Sequence, residues 1–148
     1  MADGLARAGV EYALCGGCAV VVYGYVRATK DIDLMIQQGS LEIVAAALAP
    51  KGFTLRAGPI AFASGTPKER KLYRLTKVVG TDHLTVDLLI VTEVLKDVWS
   101  DRATMEWAGR TMPIVSRKGL GKMKRLAARP QDLVDLEVLG IEVEPDGT

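Results

Sequence analysis

The feature that most constrains this chain is the hexapeptide Asp31-Ile32-Asp33-Leu34-Met35-Ile36. Its acids alternate with Ile32, Leu34 and Ile36, which is the period of a strand with one face toward a core. Successive side chains point to opposite faces, so Asp31 and Asp33 share one face while Ile32 and Leu34 enter the core. Two carboxylates at neighbouring same-face positions repel each other unless solvent or a cation separates them. Hard oxygen ligands of this kind suit Mg2+, which takes one or two carboxylates and completes its shell with phosphate oxygens. Extended backwards, the same parity adds Thr29 and Arg27, so that a cation, a hydroxyl and two acids line one cleft.

Two further segments bear on that cleft. His83-Leu84-Thr85-Val86-Asp87-Leu88-Leu89-Ile90 reads as an apolar strand carrying one acid. Burying an uncompensated carboxylate is costly, so Asp87 needs a partner, and a metal shared with Asp31 and Asp33 would supply it. Thr85 and His83 lie on the same face as Asp87, but His83, the only histidine, is not taken as the base. Gly16-Gly17 falls between an apolar strand and a buried helix. Glycines there let backbone N–H groups approach a phosphate, and a helix N-terminus adds a favourable dipole.

A chain of 148 residues is expected to form one domain over 1–148, since single cores span roughly 100–200 residues. Nineteen basic against eighteen acidic residues leave almost no net charge, which argues against a large nucleic-acid footprint. The longest apolar run, Cys18 to Tyr25, is too short to span a bilayer, and the N-terminus has no apolar signal core. A cytoplasmic protein without a membrane partner is expected. Cys15-Gly16-Gly17-Cys18 formally matches a redox C-x-x-C. Two small, semi-buried thiols flanking a glycine turn explain it more simply.

Patterning predicts a mixed sheet with helices on one side. A helical lead-in at Leu5 to Gly9 precedes a strand at Glu11 to Leu14 and a helix at Cys18 to Tyr25. After the Asp31 to Ile36 strand, Ser40 is a candidate cap for a helix over Leu41 to Ala49, closed by Pro50 and Gly52. Strands follow at Phe53 to Arg56, Lys71 to Lys77 and His83 to Val91. Thr92 is a candidate cap for a helix over Glu93 to Trp99, and a hairpin turns around Ala108-Gly109. Ser116 caps a helix over Arg117 to Ala128, and Pro130 begins a last helix ending at Gly140.

Gly16-Gly17, thirteen intervening residues, then Asp31-Ile32-Asp33-Leu34 resembles the signature of the polymerase-β-type nucleotidyltransferase superfamily, with Asp87 as the third acid. The fuller string Gly16-Gly17…Gly24…Arg27-Ala28-Thr29-Lys30-Asp31-Ile32-Asp33 resembles its small bacterial abortive-infection and toxin-type branch. Lincosamide and aminoglycoside nucleotidyltransferases carry a related string. The stretch Met123 to Leu136 resembles the closing helices of small members of that branch, and only the middle, about Pro50 to Asp82, is anonymous.

The resemblance implies an α+β nucleotidyltransferase fold reduced to the minimal catalytic core. It implies that Gly16 and Gly17 hold the triphosphate, with Arg27 and Thr29 beside them. Asp31 and Asp33 would hold Mg2+, for which Mn2+ can substitute, and Asp87 would complete a second metal site and favour deprotonation of the acceptor. Two metals about 3.5–4 Å apart clamp the attacking and leaving oxygens of an in-line displacement. The implied reaction moves a nucleoside monophosphate from an NTP such as ATP to a hydroxyl on an RNA end, a protein side chain or a small molecule, releasing pyrophosphate. A toxin–antitoxin or phage-defence role follows from the same branch. The rivals are a catalytically idle nucleotide-binding or regulatory module and a C-x-x-C redox protein. A partner subunit or a second copy is the expected cover for a cleft that so short a chain leaves partly open.

Lys118, Lys122, Arg125 and Arg129 recur on one helical face, a pattern of either a solvated stripe or a surface for a polyanion. Lys124 lies beside the apolar Leu120, Met123 and Ala127, so its stem can pack while its ammonium reaches the triphosphate. Asp132 and Asp135 read as helix N-terminal charges and partners for Arg129. Trp99 and Trp107 read as packing residues.

Overall fold

The Asp31–Ile36 alternation does form a strand, and the rest of the sheet is arranged around it. The computed structural model describes residues 2–23, 31–107 and 109–140, with the side chains of residues 2, 3, 18 and 107 outside the description. The strands are β1 (Ala13–Cys15), β2 (Asp31–Ile36), β3 (Leu55–Phe62), β4 (Arg70–Val79), β5 (Asp82–Ile90), β6 (Ala103–Trp107) and β7 (Arg110–Ile114). The helices are α1 (Ala2–Arg7), α2 (Gly16–Val22), α3 (Leu41–Leu48), α4 (Lys96–Ser100), α5 (Arg117–Ala127) and α6 (Pro130–Leu139). All seven strands join one mixed sheet of order β3-β4-β5-β2-β1-β7-β6. β2 runs parallel to β5 and antiparallel to β1.

Helices cover both faces of this sheet rather than one. The reason is visible within β2, where Leu34, Met35 and Ile36 are all buried although their side chains alternate. Leu34 and Ile36 join a core with Leu5 of α1 and Leu41, Val44 and Leu48 of α3. Met35 faces the other way, into a core with Val20 of α2, Val98 and Trp99 of α4, Leu120 of α5 and Leu139 of α6. An acid on the Met35 face therefore lies on the side where α2, α5 and α6 pack.

Two of the expected caps hold and two do not. Ser116 is extended and its Oγ accepts from the Gly119 N–H at 3.0 Å, so it starts α5. Pro130 occupies the first turn of α6, and Gly140 ends it in the left-handed region. Ser40 instead lies in a 3-10 turn with helical dihedrals and makes no side-chain cap. Thr92 donates its hydroxyl to the Glu69 carbonyl, tying the end of β5 to the start of β4. No described helix is long and apolar enough to cross a membrane.

Candidate active site

One transverse row of the sheet holds most of the chemistry. Arg74 of β4 is paired with Asp87 of β5, Asp87 with Asp33 of β2, and Asp33 with Cys15 at the end of β1. Residues paired in this way across adjacent strands share a face, so Asp33 and Asp87 stand side by side. Asp31 lies two residues earlier on the same face of β2, where the Thr85 hydroxyl donates to its carboxylate. The row opens into a cavity of about 500 Å3 lined also by Gly16, Gly17, Lys124 and Arg129.

The glycine turn is shaped by Asp33. Gly16 adopts φ +63°, and a Cβ built there would lie 2.1 Å from Asp33 Oδ2. No side chain fits, so glycine is required for both conformation and space. The Asp33 carboxyl is pushed up to about 6, first by burial and then by the Asp87 and Asp31 charges. The Gly17 N–H bonded to it and the Lys124 charge pull the other way without offsetting this. In this state the Gly17 N–H therefore serves Asp33.

The two other acids already have protein partners. Arg74 donates from Nε to Asp87 Oδ1 at 2.7 Å and from Nη2 to Oδ2 at 3.0 Å. The bond to Asp87 raises the Arg74 guanidinium above its ordinary range. Arg74 lies in the anonymous middle of the sequence and was not anticipated. Its only signal is the alternation of Arg70, Leu72 and Arg74 along β4, and all three line the cavity. Among the described residues no three acidic, imidazole or thiol groups are gathered to hold an ion.

Asp31 and Asp33 on β2 and Asp87 in register on β5 share one face, and oxygen donors of this kind are the ones that suit a divalent cation.

Lys124 lines the cavity and is held there by two carboxylates of α6. Only 5% exposed, its ammonium lies 3.2 Å from Asp132 Oδ1 and 2.9 Å from Asp135 Oδ2. It joins α5 to α6 at the cavity wall, and its charge reaches Asp33 through space. Asp132 also accepts from Arg129 through Nε at 2.8 Å and through the backbone N–H at 3.1 Å. Burial would raise the Asp132 carboxyl, but the Arg129 bonds and the Lys124 charge outweigh it and hold the carboxyl low.

The remaining expectations separate clearly. Arg27 and Thr29 lie outside the described residues, as does Gly24. His83 is exposed and does not line the cavity. Cys15 is buried, a setting that goes against redox reactivity, whereas the side chain of Cys18 is not described. Lys122 is held by Asp97 of α4 at 2.8 Å, so the basic stripe is partly used in joining helices. Trp99 packs in the core.

The sequence of residues 1–137 matches the aminoglycoside-2''-adenylyltransferase family. The chain belongs to that family. This family member is a nucleotidyltransferase of the polymerase-β-type superfamily. Solved structures with a similar fold include the lincosamide antibiotic adenylyltransferase LnuA with lincomycin bound, at 17% identity and TM-score 0.59, covering 94% of this chain and 91% of that one. ANT(2'')-Ia in complex with adenylyl-2''-tobramycin gives 15% identity and TM-score 0.59, covering 93% and 82%. The TM1012 protein of Thermotoga maritima gives 16% identity and TM-score 0.60, covering 92% and 85%. No curated protein is similar enough to count as a match. At these identities the structural likeness concerns the fold alone.

Proposed function

We propose that this adenylyltransferase-family member moves a nucleoside monophosphate, AMP from ATP in the first instance, to a hydroxyl acceptor and releases pyrophosphate. The observation that carries the reading is the in-register placement of Asp33 beside Asp87, with Asp31 on the same face and the Gly16-Gly17 turn against Asp33. LnuA and ANT(2'')-Ia, with lincomycin and adenylyl-2''-tobramycin bound, support a small-molecule acceptor over a protein or RNA end. The matching family is that of the aminoglycoside-2''-adenylyltransferases.

In this reading Asp31 and Asp33 would hold Mg2+, or Mn2+, and Asp87 would complete the site. When bound, the divalent cation supplies charge neutralisation for the phosphates and for the entering and leaving oxygens. The residues of the chain do the positioning. Gly16 keeps the turn close against Asp33, and the Gly17 N–H, which serves Asp33, would be open to a phosphate oxygen if that carboxylate bound the cation instead. Lys124 adds positive charge while keeping its two carboxylate partners. Arg27 and Thr29 are proposed as further contacts to the nucleotide. Asp87 stands where the acceptor hydroxyl gives up its proton.

The test is label transfer from each α-labelled NTP with Mg2+ to small-molecule, RNA and protein fractions of a cell extract. Asp33→Asn should lose both nucleotide binding and transfer. Asp87→Asn should bind ATP within a few fold and lose transfer, because its contribution belongs to the transition state. A folded Asp87→Asn protein that transfers label at the parent rate would overturn the reading.

A further inference from the structure

The charge on the acceptor side of the cleft points to a substrate class. An in-line displacement brings the acceptor oxygen to the phosphorus opposite the departing pyrophosphate. With the triphosphate at the Gly16-Gly17 turn beyond β1, the sheet order β4-β5-β2-β1 puts the acceptor on the far side of the acids, against β4. That wall carries Arg70 and Arg74, and both line the cavity.

Arg70 is the more telling of the two. Its Nε donates to the Lys68 carbonyl at 3.3 Å, and its guanidinium lies 5.6 Å from the centre of the Phe62 ring. Among the described residues no carboxylate lies within ion-pair distance of it. Asp132, whose charge acts on it through space, is already engaged by Lys124 and Arg129. Burial pulls its guanidinium below the ordinary arginine range, with Asp132 only partly opposing this. A half-buried cation without a contacting anion is costly to keep, and a ligand anion would relieve it. Arg74 lies on the same wall, where it lines the cavity while paired with Asp87.

We propose that the acceptor is a hydroxyl compound that itself carries a phosphate, gripped by Arg70 with Arg74 beside it, and not a polycationic aminoglycoside. The inference rests on the nucleotidyl-transfer reading above. Arg forks match phosphate oxygens two at a time, while an ammonium group seated against β4 would meet two guanidinium groups of its own sign. The bond from the α-phosphorus to the acceptor oxygen forms as the bond to pyrophosphate breaks, and the acceptor proton leaves through Asp87.

The experiment uses the full chain with Mg2+ and α-labelled ATP. Its probes are glucose 6-phosphate, a 5′-phosphorylated ribodinucleotide and tobramycin. Binding of each probe is also measured by calorimetry with a non-hydrolysable ATP analogue present. At least one phosphate-bearing probe should bind and accept label, the two distinguishing a sugar phosphate from a nucleic-acid end, and tobramycin should do neither. Arg70→Gln should weaken that probe about tenfold and leave the affinity for the ATP analogue within twofold. Arg70→Lys should restore part of the loss. Binding of neither phosphate-bearing probe, transfer to tobramycin, or an Arg70→Gln defect in ATP affinity would each overturn the proposal. Failure of ATP itself to bind with Mg2+ would instead overturn the underlying transfer reading.

Discussion

Arg74 and Asp87 face each other directly across β4 and β5, two guanidinium nitrogens on two carboxylate oxygens at 2.7 and 3.0 Å. A metal that uses Asp87 must compete with that guanidinium. Arg74→Gln should therefore lower the metal-free Tm by about 2–4 °C, the size expected for a partly exposed ion pair worth about 1 kcal/mol. Mg2+ with an ATP analogue should then raise Tm further in the variant than in the parent, because no pair has to be broken first. Equal metal-induced shifts in the two proteins would show that Arg74 and the metal do not compete.

Gly16→Ala sets conformation and space against each other at one atom. A Cβ at φ +63° costs about 1–2 kcal/mol, and its contact with Asp33 Oδ2 forces the carboxylate to move. The variant should melt well below the parent, since the Asp33 Cβ must also give way, and the protein that remains folded should bind Mg2+–ATP at least tenfold more weakly. Calorimetry at unchanged affinity would mean that Asp33 can leave its place without consequence.

The pH dependence of stability carries the mark of Asp33. Its carboxyl is raised from 3.8 to about 6, so between those values the folded chain holds a proton that the unfolded chain has released. Stability without metal should fall as pH rises through that window and level off above it, a cost reaching on the order of 2–3 kcal/mol at neutral pH. Asp132, held low, has the opposite sign, and its stabilisation is lost only as pH falls below the ordinary carboxylate range. Urea unfolding from pH 4.5 to 7.5 in EDTA should show the fall, and Asp33→Asn should flatten it. An unchanged slope in the variant would assign the fall to another group.

Lys124 is the joint between the last two helices. Lys124→Met leaves Asp135 with Gln131 at 2.9 Å and Asp132 with Arg129, two buried acids short of one cation. A loss of about 3–5 kcal/mol is expected, measurable by thermal melting, and adding Asp135→Asn should recover part of it. A small loss in the single variant would mean that Lys124 serves the nucleotide more than the fold.

The acids were legible in the sequence because strand parity is a strong constraint. Asp31 and Asp33 cannot leave one face without turning Leu34 and Ile36 out of the core. The caps at Ser116 and Pro130 were legible because each acts within three residues of itself. Ser40 and Thr92 had the same chemistry, yet the hydroxyl of Thr92 was claimed by the Glu69 carbonyl, which is remote in sequence. Arg70 and Arg74 were missed because alternating cations on a strand look the same whether they face water or a cleft. β3 extends beyond Arg56 to Phe62, through Gly58 and Pro59. The sheet order makes it an edge strand, where a residue without an N–H is tolerated. Lys124 could be placed beside the cleft, but its partners on α6 depend on how two helices pack.

The parallel pairing of β2 with β5 also bears on how the protein comes into being. Asp33 and Asp87 are neighbours in the sheet but are separated by more than fifty positions along the chain, with α3, β3 and β4 between them. Closing so long a loop costs chain entropy before any contact compensates it, so pairing of this kind forms slowly. The β3–β4 and β4–β5 hairpins are local and can form early, carrying Arg74 and Asp87 together from the outset. Asp31 and Asp33 would join them only when β2 docks. During refolding, the ability to bind Mg2+–ATP should therefore return later than the hairpin structure itself.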